Sequence, residues 1–211
     1  MQQVTRDFNA VAATWDEEPR RVQLVTDISR SITEHIALAP DMDLLDFGCG
    51  TGLLSLMLQP MVRSVTGVDS SPGMLDVFSA KAGQLGLTNV TAQCRDLARG
   101  EQLEGRFHCV VSSMAFHHVQ DIQPLLREFH RVLLPGGCLA IADLDLDGGR
   151  FHDDPTGVFH NGFDREWLMQ AFAEAGFSAA ACVTAATIVK PSAEAAAREF
   201  SVFLATARTR G

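Results

Sequence analysis

The chain has 211 residues, 46% of them hydrophobic, a formal net charge of -9 and only two lysines, Lys81 and Lys190. The length suits one large domain with a full core, and the acidic balance excludes nonspecific nucleic-acid binding, which needs a basic footprint. Five scattered cysteines without a Cys-x-x-Cys pair exclude a disulfide frame and a zinc site.

The amino terminus carries no signal-peptide pattern, and no apolar run approaches the roughly 18 residues that span a bilayer. A cytoplasmic protein with no membrane and no nucleic-acid partner is therefore expected. Residues 1–40 are expected to be a helical segment ahead of a core at 41–211. Within 4–36, Val22, Val25, Ile28, Ile32 and Ile36 recur at helical spacing. Before them, Phe8 to Pro19 reads as a short amphipathic piece closed by proline. It has two readings: a helix packed on the core, or a lid whose aromatic residues close over a ligand. Arg20 and Arg21 suit a ligand carboxylate or plain solvent.

The core alternates in type. Strand 43–47 leads to helix 52–59, and strand 64–68 to helix 72–85. Ser71 suits the cap of that second helix, Pro72 its first position and Gly86 its stop. Strand 90–95 follows, then a weak helix or loop at 97–105, strand 107–112, helix 121–134 ended by Pro135-Gly136-Gly137, and strand 138–144. Residues 145–163 are a polar, turn-rich insertion. Helix 164–175 resumes the pattern. The tail at 178–190 and 198–209 suits an antiparallel hairpin, with a helical turn over 193–198. Strand–helix alternation predicts parallel strands with crossover helices, hence a doubly wound α/β sheet with helices on both faces.

The stretch Asp43-Leu-Leu-Asp46-Phe-Gly48-Cys49-Gly50-Thr-Gly52 organises the rest. It reads as a buried strand, a tight loop and a helix start. Glycines let a ligand lie against bare backbone, and the helix start favours anionic groups. The dinucleotide fingerprint would need glycine where Leu53 stands, and the triphosphate loop would need a lysine. Asp46 would repel a pyrophosphate but suits an ammonium group. Asp69 ends the next strand, where a carboxylate accepts hydrogen bonds from a ribose diol. Asp96 ends the third.

The ordered set Asp46-Phe-Gly48-Cys49-Gly50-Thr-Gly52, Asp69 and Asp96-Leu97 resembles the motifs of class I S-adenosylmethionine-dependent methyltransferases. The likeness is to the small-molecule branch that includes ubiquinone/menaquinone-biosynthesis enzymes, over about residues 4–177. The resemblance implies a Rossmann-like sheet of seven strands, one antiparallel. It implies S-adenosylmethionine as cofactor, with Asp46, Gly48, Cys49 and Gly50 about the methionine moiety and Asp69 on the ribose. Ser70 and Met74 would border the adenosine, Asp96 and Leu97 the adenine, and Ser112 the same cleft. In that branch the amino-terminal segment often closes the site, which would set Trp15 against the cofactor and Phe8 against the acceptor.

Methyl transfer from a sulfonium needs alignment, with a general base where the acceptor must lose a proton. His117 and His118, just past the fourth strand, suit that base; a loop-orienting role is the alternative, and the two are not separable by sequence. His152 and His160 suit an acceptor pocket or a solvated loop, and their spacing is poor for a metal. The function expected is methyl transfer to an unidentified small molecule. A non-catalytic cofactor-binding or dimerisation module and a nicotinamide-dependent oxidoreductase are the alternatives. The sequence leaves the oligomeric state open.

Overall fold

A computed structural model describes residues 7–190 and 197–211. Seven strands form one sheet: β1 (Asp43–Phe47), β2 (Ser64–Asp69), β3 (Val90–Cys94), β4 (Phe107–Ser113), β5 (Leu133–Leu144), β6 (Ser178–Lys190) and β7 (Arg198–Arg208). Their order is β3-β2-β1-β4-β5-β7-β6. β1 to β5 pair in parallel, and β7 runs antiparallel between β5 and β6. This is the expected Rossmann-like sheet with one antiparallel strand.

Burial of β1 on both faces makes it the centre. Leu44 packs with Ile28 and Ile32 of α1 (Pro19–His35) and Leu54 and Leu58 of α2 (Leu53–Leu58). Leu45 points to the other face, with Phe129 of α4 (Ile122–Val132) and Phe172 of α5 (Arg165–Glu174). Neighbouring strand residues face opposite ways, so one short run feeds two helical layers. α3 (Pro72–Gln84) adds Phe78, fully buried against Cys49 and Leu75.

The helix starts follow their caps. Ser71 Oγ accepts from Met74 N at 3.3 Å, Asp121 from Gln123 N at 3.0 Å and Asp164 from Trp167 N at 2.8 Å. β1 and β4 leave the centre in opposite senses, so the chain reverses strand order between them. Their carboxyl ends open the crevice where such sheets bind ligands.

Several expectations shift. Residues 9–17 form 3-10 turns rather than α-helix, because Glu18 is extended (ψ 106°) and Pro19 begins α1. α4 stops at Val132, and β5 begins at Leu133 rather than 138, where Leu133 pairs with Phe107 across a bulge. Within 97–105 only Leu97–Arg99 is helical, as one 3-10 turn. Of the helical turn expected at 193–198, residues 193–196 lie outside the described residues, and Arg198 already belongs to β7.

Candidate functional site

The glycine loop crosses from β1 towards β2. Gly48 N and Cys49 N both donate to Val68 O, at 2.8 and 3.1 Å. Gly48, Gly50 and Gly52 all have left-handed backbone, with φ of 67°, 53° and 80°. Their surroundings differ. A Cβ on Gly48 would sit 2.4 Å from Ala115 Cβ, and one on Gly52 would sit 2.0 Å from the Phe78 ring. A Cβ on Gly50 would meet nothing nearer than Met74 Sδ at 4.0 Å. Two glycines are therefore sealed by packing, while Gly50 presents bare backbone to open space.

Asp69 ends β2 beside that loop. Its Oδ2 accepts from Gly50 N at 2.9 Å and its Oδ1 from Ser71 N at 2.8 Å. Each oxygen keeps a second lone pair for a hydroxyl donor. Burial raises the Asp69 carboxyl above the usual range, against the pull of those amides. Asp46 is 1% exposed and accepts from Ser55 Oγ at 2.6 Å. Burial, with Asp69 nearby, pushes Asp46 up to about 7. The Cys49 thiol is buried and pushed up for the same first reason.

The remaining candidates on this side are spread about the loop. Met74 is buried under Gly50, and Ser70 is exposed. Asp96 pairs with Arg99 at 3.1 Å, and Leu97 packs on the core. Ser112 is buried and donates to Phe47 O at 2.9 Å, tying β4 to β1.

The 3-10 segment at 9–17 is strapped over this end. Asn9 Oδ1 accepts from Gly73 N at 2.8 Å and lies 2.9 Å from Ser71 Oγ. Asp16 accepts from Thr51 Oγ1 at 2.6 Å and from Lys81 Nζ at 2.7 Å. Arg21 lies 3.9 Å over the Trp15 ring and donates to Trp15 O at 3.1 Å. Phe8 contacts Trp15 edge-on at 5.9 Å and His118 at 5.2 Å. One short segment thus bridges the glycine loop, α3 and the turn after β4.

That turn begins at Met114, whose φ of 54° is unusual without glycine. Such backbone costs of order 1–3 kcal/mol and is held by its surroundings. Met114 N donates to Ala142 O at 2.8 Å, which fixes the kink. The kink delivers His117 and His118 to the strand ends. His117 is 1% exposed, and its Nδ1 lies 2.7 Å from Asp143 Oδ1 at the end of β5. His118 Nδ1 donates to Gly157 O at 2.7 Å. Burial first, then His117, lowers His118 to about 4.

The insertion folds back onto the same turn. Phe159 N donates to His117 O at 2.9 Å, and the His152 ring lies 4.8 Å from that of His117. His160 Nε2 lies 3.0 Å from Val119 O. Phe163 is buried in the core, while Phe151 packs edge-on with His152 and Phe200. Among the described residues no group of three or more His, Cys, Asp or Glu is arranged to hold a metal ion.

The structure therefore brings together Gly48, Cys49, Gly50, Asp69 and Met74 on one side and His117, His118, His152 and Phe8 on the other. Four contributors escaped sequence reasoning: Ser55, Asn9, Asp16 and Asp143. Asp143 closes a strand like the other strand-end acids, and nothing local marks the rest. The donors and acceptors fit an adenosyl amino acid: open backbone at Gly50, and a carboxylate with spare lone pairs at Asp69.

Comparisons agree. The methyltransferase-domain family profile matches residues 44–137. An uncharacterized methyltransferase of Schizosaccharomyces pombe is 31% identical over 174 residues, 75% of this chain and 61% of that protein. The ubiquinone biosynthesis O-methyltransferase of Cereibacter sphaeroides is 30% identical over 182 residues, 77% of this chain and 69% of that protein. The chain thus spans 61% and 63% of the first two curated relatives. In fold, a SAM-dependent methyltransferase from Aquifex aeolicus superposes with a TM-score of 0.69 at 19% identity, covering 95% of this chain and 97% of that one. The Haemonchus contortus phosphoethanolamine N-methyltransferase 2 in complex with S-adenosyl-L-methionine gives 0.71 at 16% identity, covering 98% and 61%. With the loop, the strand-end acids and the sheet order, these likenesses establish that the chain belongs to the class I S-adenosylmethionine-dependent methyltransferases.

Proposed function

We propose that the chain transfers the methyl group of S-adenosylmethionine to a small-molecule acceptor by in-line displacement. The observation that carries this reading is the bare backbone of Gly50, left-handed and hydrogen-bonded to the Asp69 carboxylate beside open space. In this reading Gly48, Cys49 and Gly50, with Asp46 behind them, meet the amino-acid end, and Asp69 takes the ribose hydroxyls. Ser70 and Met74 border the adenosine, Asp96 and Leu97 the adenine, with Ser112 bracing the cleft floor. When bound, the cofactor supplies an electrophilic methyl on a positively charged sulfur.

The chain's own residues align the partners and keep water out. Good positioning alone supplies about 7–11 kcal/mol of such a barrier. The strap at 9–17, with Phe8 and Trp15, acts as the lid that closes over cofactor and acceptor, its anchors being Asn9 and Asp16. His152 faces the acceptor side through its ring contact with His117, and His160 braces the turn. The Cereibacter relative is named as an O-methyltransferase, and a hydroxylated acceptor is the matching reading here. A cytoplasmic setting fits the five free cysteines, and a net charge of -9 fits a metabolite rather than nucleic acid.

Calorimetry with S-adenosylhomocysteine, followed by methyl transfer from labelled cofactor into a metabolite extract, tests this. Binding with a labelled product is expected. Absence of binding would remove the reading; binding without any product would leave a cofactor-binding module.

A further inference from the structure

We propose that Cys109 and Cys138 form a redox modification site: a hydroperoxide oxidises Cys138 first, and Cys109 then closes a disulfide between β4 and β5. The two residues are register partners in neighbouring parallel strands. Both belong to the apolar cluster shared with α1 and α2, so their side chains lie on one face of the sheet. Neighbouring strands run about 4.7–4.9 Å apart, within the about 4.4–6.8 Å that separates the Cα atoms of a disulfide. A bulge between Phe107 and Cys109 interrupts the ladder just before the pair, which loosens β4 where the sulfurs must close. No other two of the five cysteines are in register. Cys49 is in the glycine loop, Cys94 pairs with Asp69 and Cys182 with Ala205.

The surroundings separate the two sulfurs. Cys109 is fully buried. Cys138 lines a surface cavity of about 90 Å³ at the amino end of β5, with Ile36, Met42, His108, Gly136 and Arg208. A water takes about 30 Å³ of liquid, so hydrogen peroxide has room there. The Cys109 thiol, hydrogen-bonded to Cys138, holds the Cys138 thiol below its usual range; burial opposes this and the Arg208 charge adds to it. The same bond, with burial, raises Cys109. The thiolate is the nucleophile, and an electropositive, reachable setting marks the reactive cysteine of a pair.

The electron count closes. The Cys138 thiolate attacks one peroxide oxygen, and the O–O bond breaks. The leaving hydroxide takes up the proton that the thiol had released, giving water and a Cys138 sulfenic acid. Cys109 sulfur then attacks Cys138 sulfur. The S–O bond breaks, and its hydroxide leaves as a second water with the Cys109 proton. The two thiols lose two electrons and the peroxide gains them. In a reducing compartment such a link is transient and sensing rather than structural. Cys109 lies five residues, or roughly 16 Å, before Met114 and the crevice, so the pair stands apart from methyl transfer.

The test uses the full chain carrying Cys94→Ser, which removes the exposed thiol, with hydrogen peroxide as the oxidant. Intact mass is expected to fall by two hydrogens, and a non-reducing peptide map to join the Cys109 and Cys138 peptides. Dithiothreitol should restore both thiols. Cys109→Ser should stop at a Cys138 sulfenic acid, which dimedone captures. Cys138→Ser, or Cys138→Ala should the first fail to fold, should give neither the link nor a dimedone adduct on Cys109. Arg208→Ala should slow the reaction, because it removes the charge beside the thiolate. Circular dichroism before and after treatment checks that folded chain reacted.

The pair is refuted as a modification site if both thiols stay free in peroxide, if the link forms only in urea, or if it joins a different cysteine. A dimedone adduct on Cys109 in Cys138→Ser, or an unchanged rate in Arg208→Ala, would overturn the order of attack. Failure of the reduced chain to bind S-adenosylhomocysteine would instead sink the methyl-transfer reading and leave the cysteine pair standing.

Discussion

The two sides of the crevice are built by different means. On the β1–β2 side the fit comes from backbone: left-handed glycines, amides turned onto Asp69, and a loop sealed by Phe78 and Ala115. On the β4–β5 side it comes from side chains that start far apart in sequence. His117 meets Asp143, His118 meets Gly157, and His152 arrives from the insertion. A site made of backbone tolerates little change at fixed positions. A site made of side chains can be altered pair by pair.

The contrast sharpens first within the loop itself. Gly52→Ala places a methyl 2.0 Å from the fully buried Phe78 ring at a φ of 80°. Overpacking and left-handed strain together are expected to cost roughly 3 kcal/mol or more in urea unfolding. Gly50→Ala has open space and carries only the strain, about 1–2 kcal/mol. Equal losses in the two variants would show that packing does not separate these glycines.

Acid–base behaviour probes the two sides next. Asp46 rises from 3.8 to about 7 in the folded chain. The fold thus holds a proton that the unfolded chain has released, so stability falls as pH rises between those values and levels off above. His118 drops from 6.5 to about 4. The fold refuses a proton there, so stability is lost as pH falls from about 6.5 towards 4. The slopes oppose one another. In Asp46→Asn only the His118 slope remains of this pair, and acidification from pH 6.5 to 4.5 should lower stability relative to the parent. The relative loss should be on the order of 1–3 kcal/mol. Urea midpoints at pH 4.5, 5.5 and 7.5 measure it; parallel parent and variant curves would refute it.

Binding effects are smaller. Asp69→Ala removes the acceptor of Gly50 N and Ser71 N, and is expected to weaken S-adenosylhomocysteine by at least about tenfold, or 1.4 kcal/mol. Unchanged calorimetric affinity would remove Asp69 from the ribose. Asp16→Ala frees Thr51 and Lys81 from the strap. Since the pair is only partly buried, about 1 kcal/mol or less of stability should go. Faster dissociation of S-adenosylhomocysteine in stopped flow is the readout, and an unchanged off-rate would count against the strap as a lid.

The strand–helix alternation, the caps at Ser71, Asp121 and Asp164, and the glycine loop were legible because each is a local event. Short apolar runs, a side-chain oxygen two or three residues ahead of an amide, and positive φ at glycine need no distant partner. The start of β5 was not, since Leu133 leaves the helix for a strand only because Phe107 waits beside it. Nor was the 3-10 strap at 9–17, whose shape answers to Ser71, Gly73, Thr51 and Lys81.

By itself the sequence determined a doubly wound sheet and a bare-backbone loop flanked by strand-end acids. These depend on interactions within a few residues and on the alternation of short apolar runs with helical spacing. Only the tertiary structure decided which glycine faces open space and which histidine sits on a buried carboxylate. Asp143 and His117 are 26 positions apart in the chain. Their 2.7 Å contact exists because β4 and β5 lie side by side and Met114 kinks the turn between them.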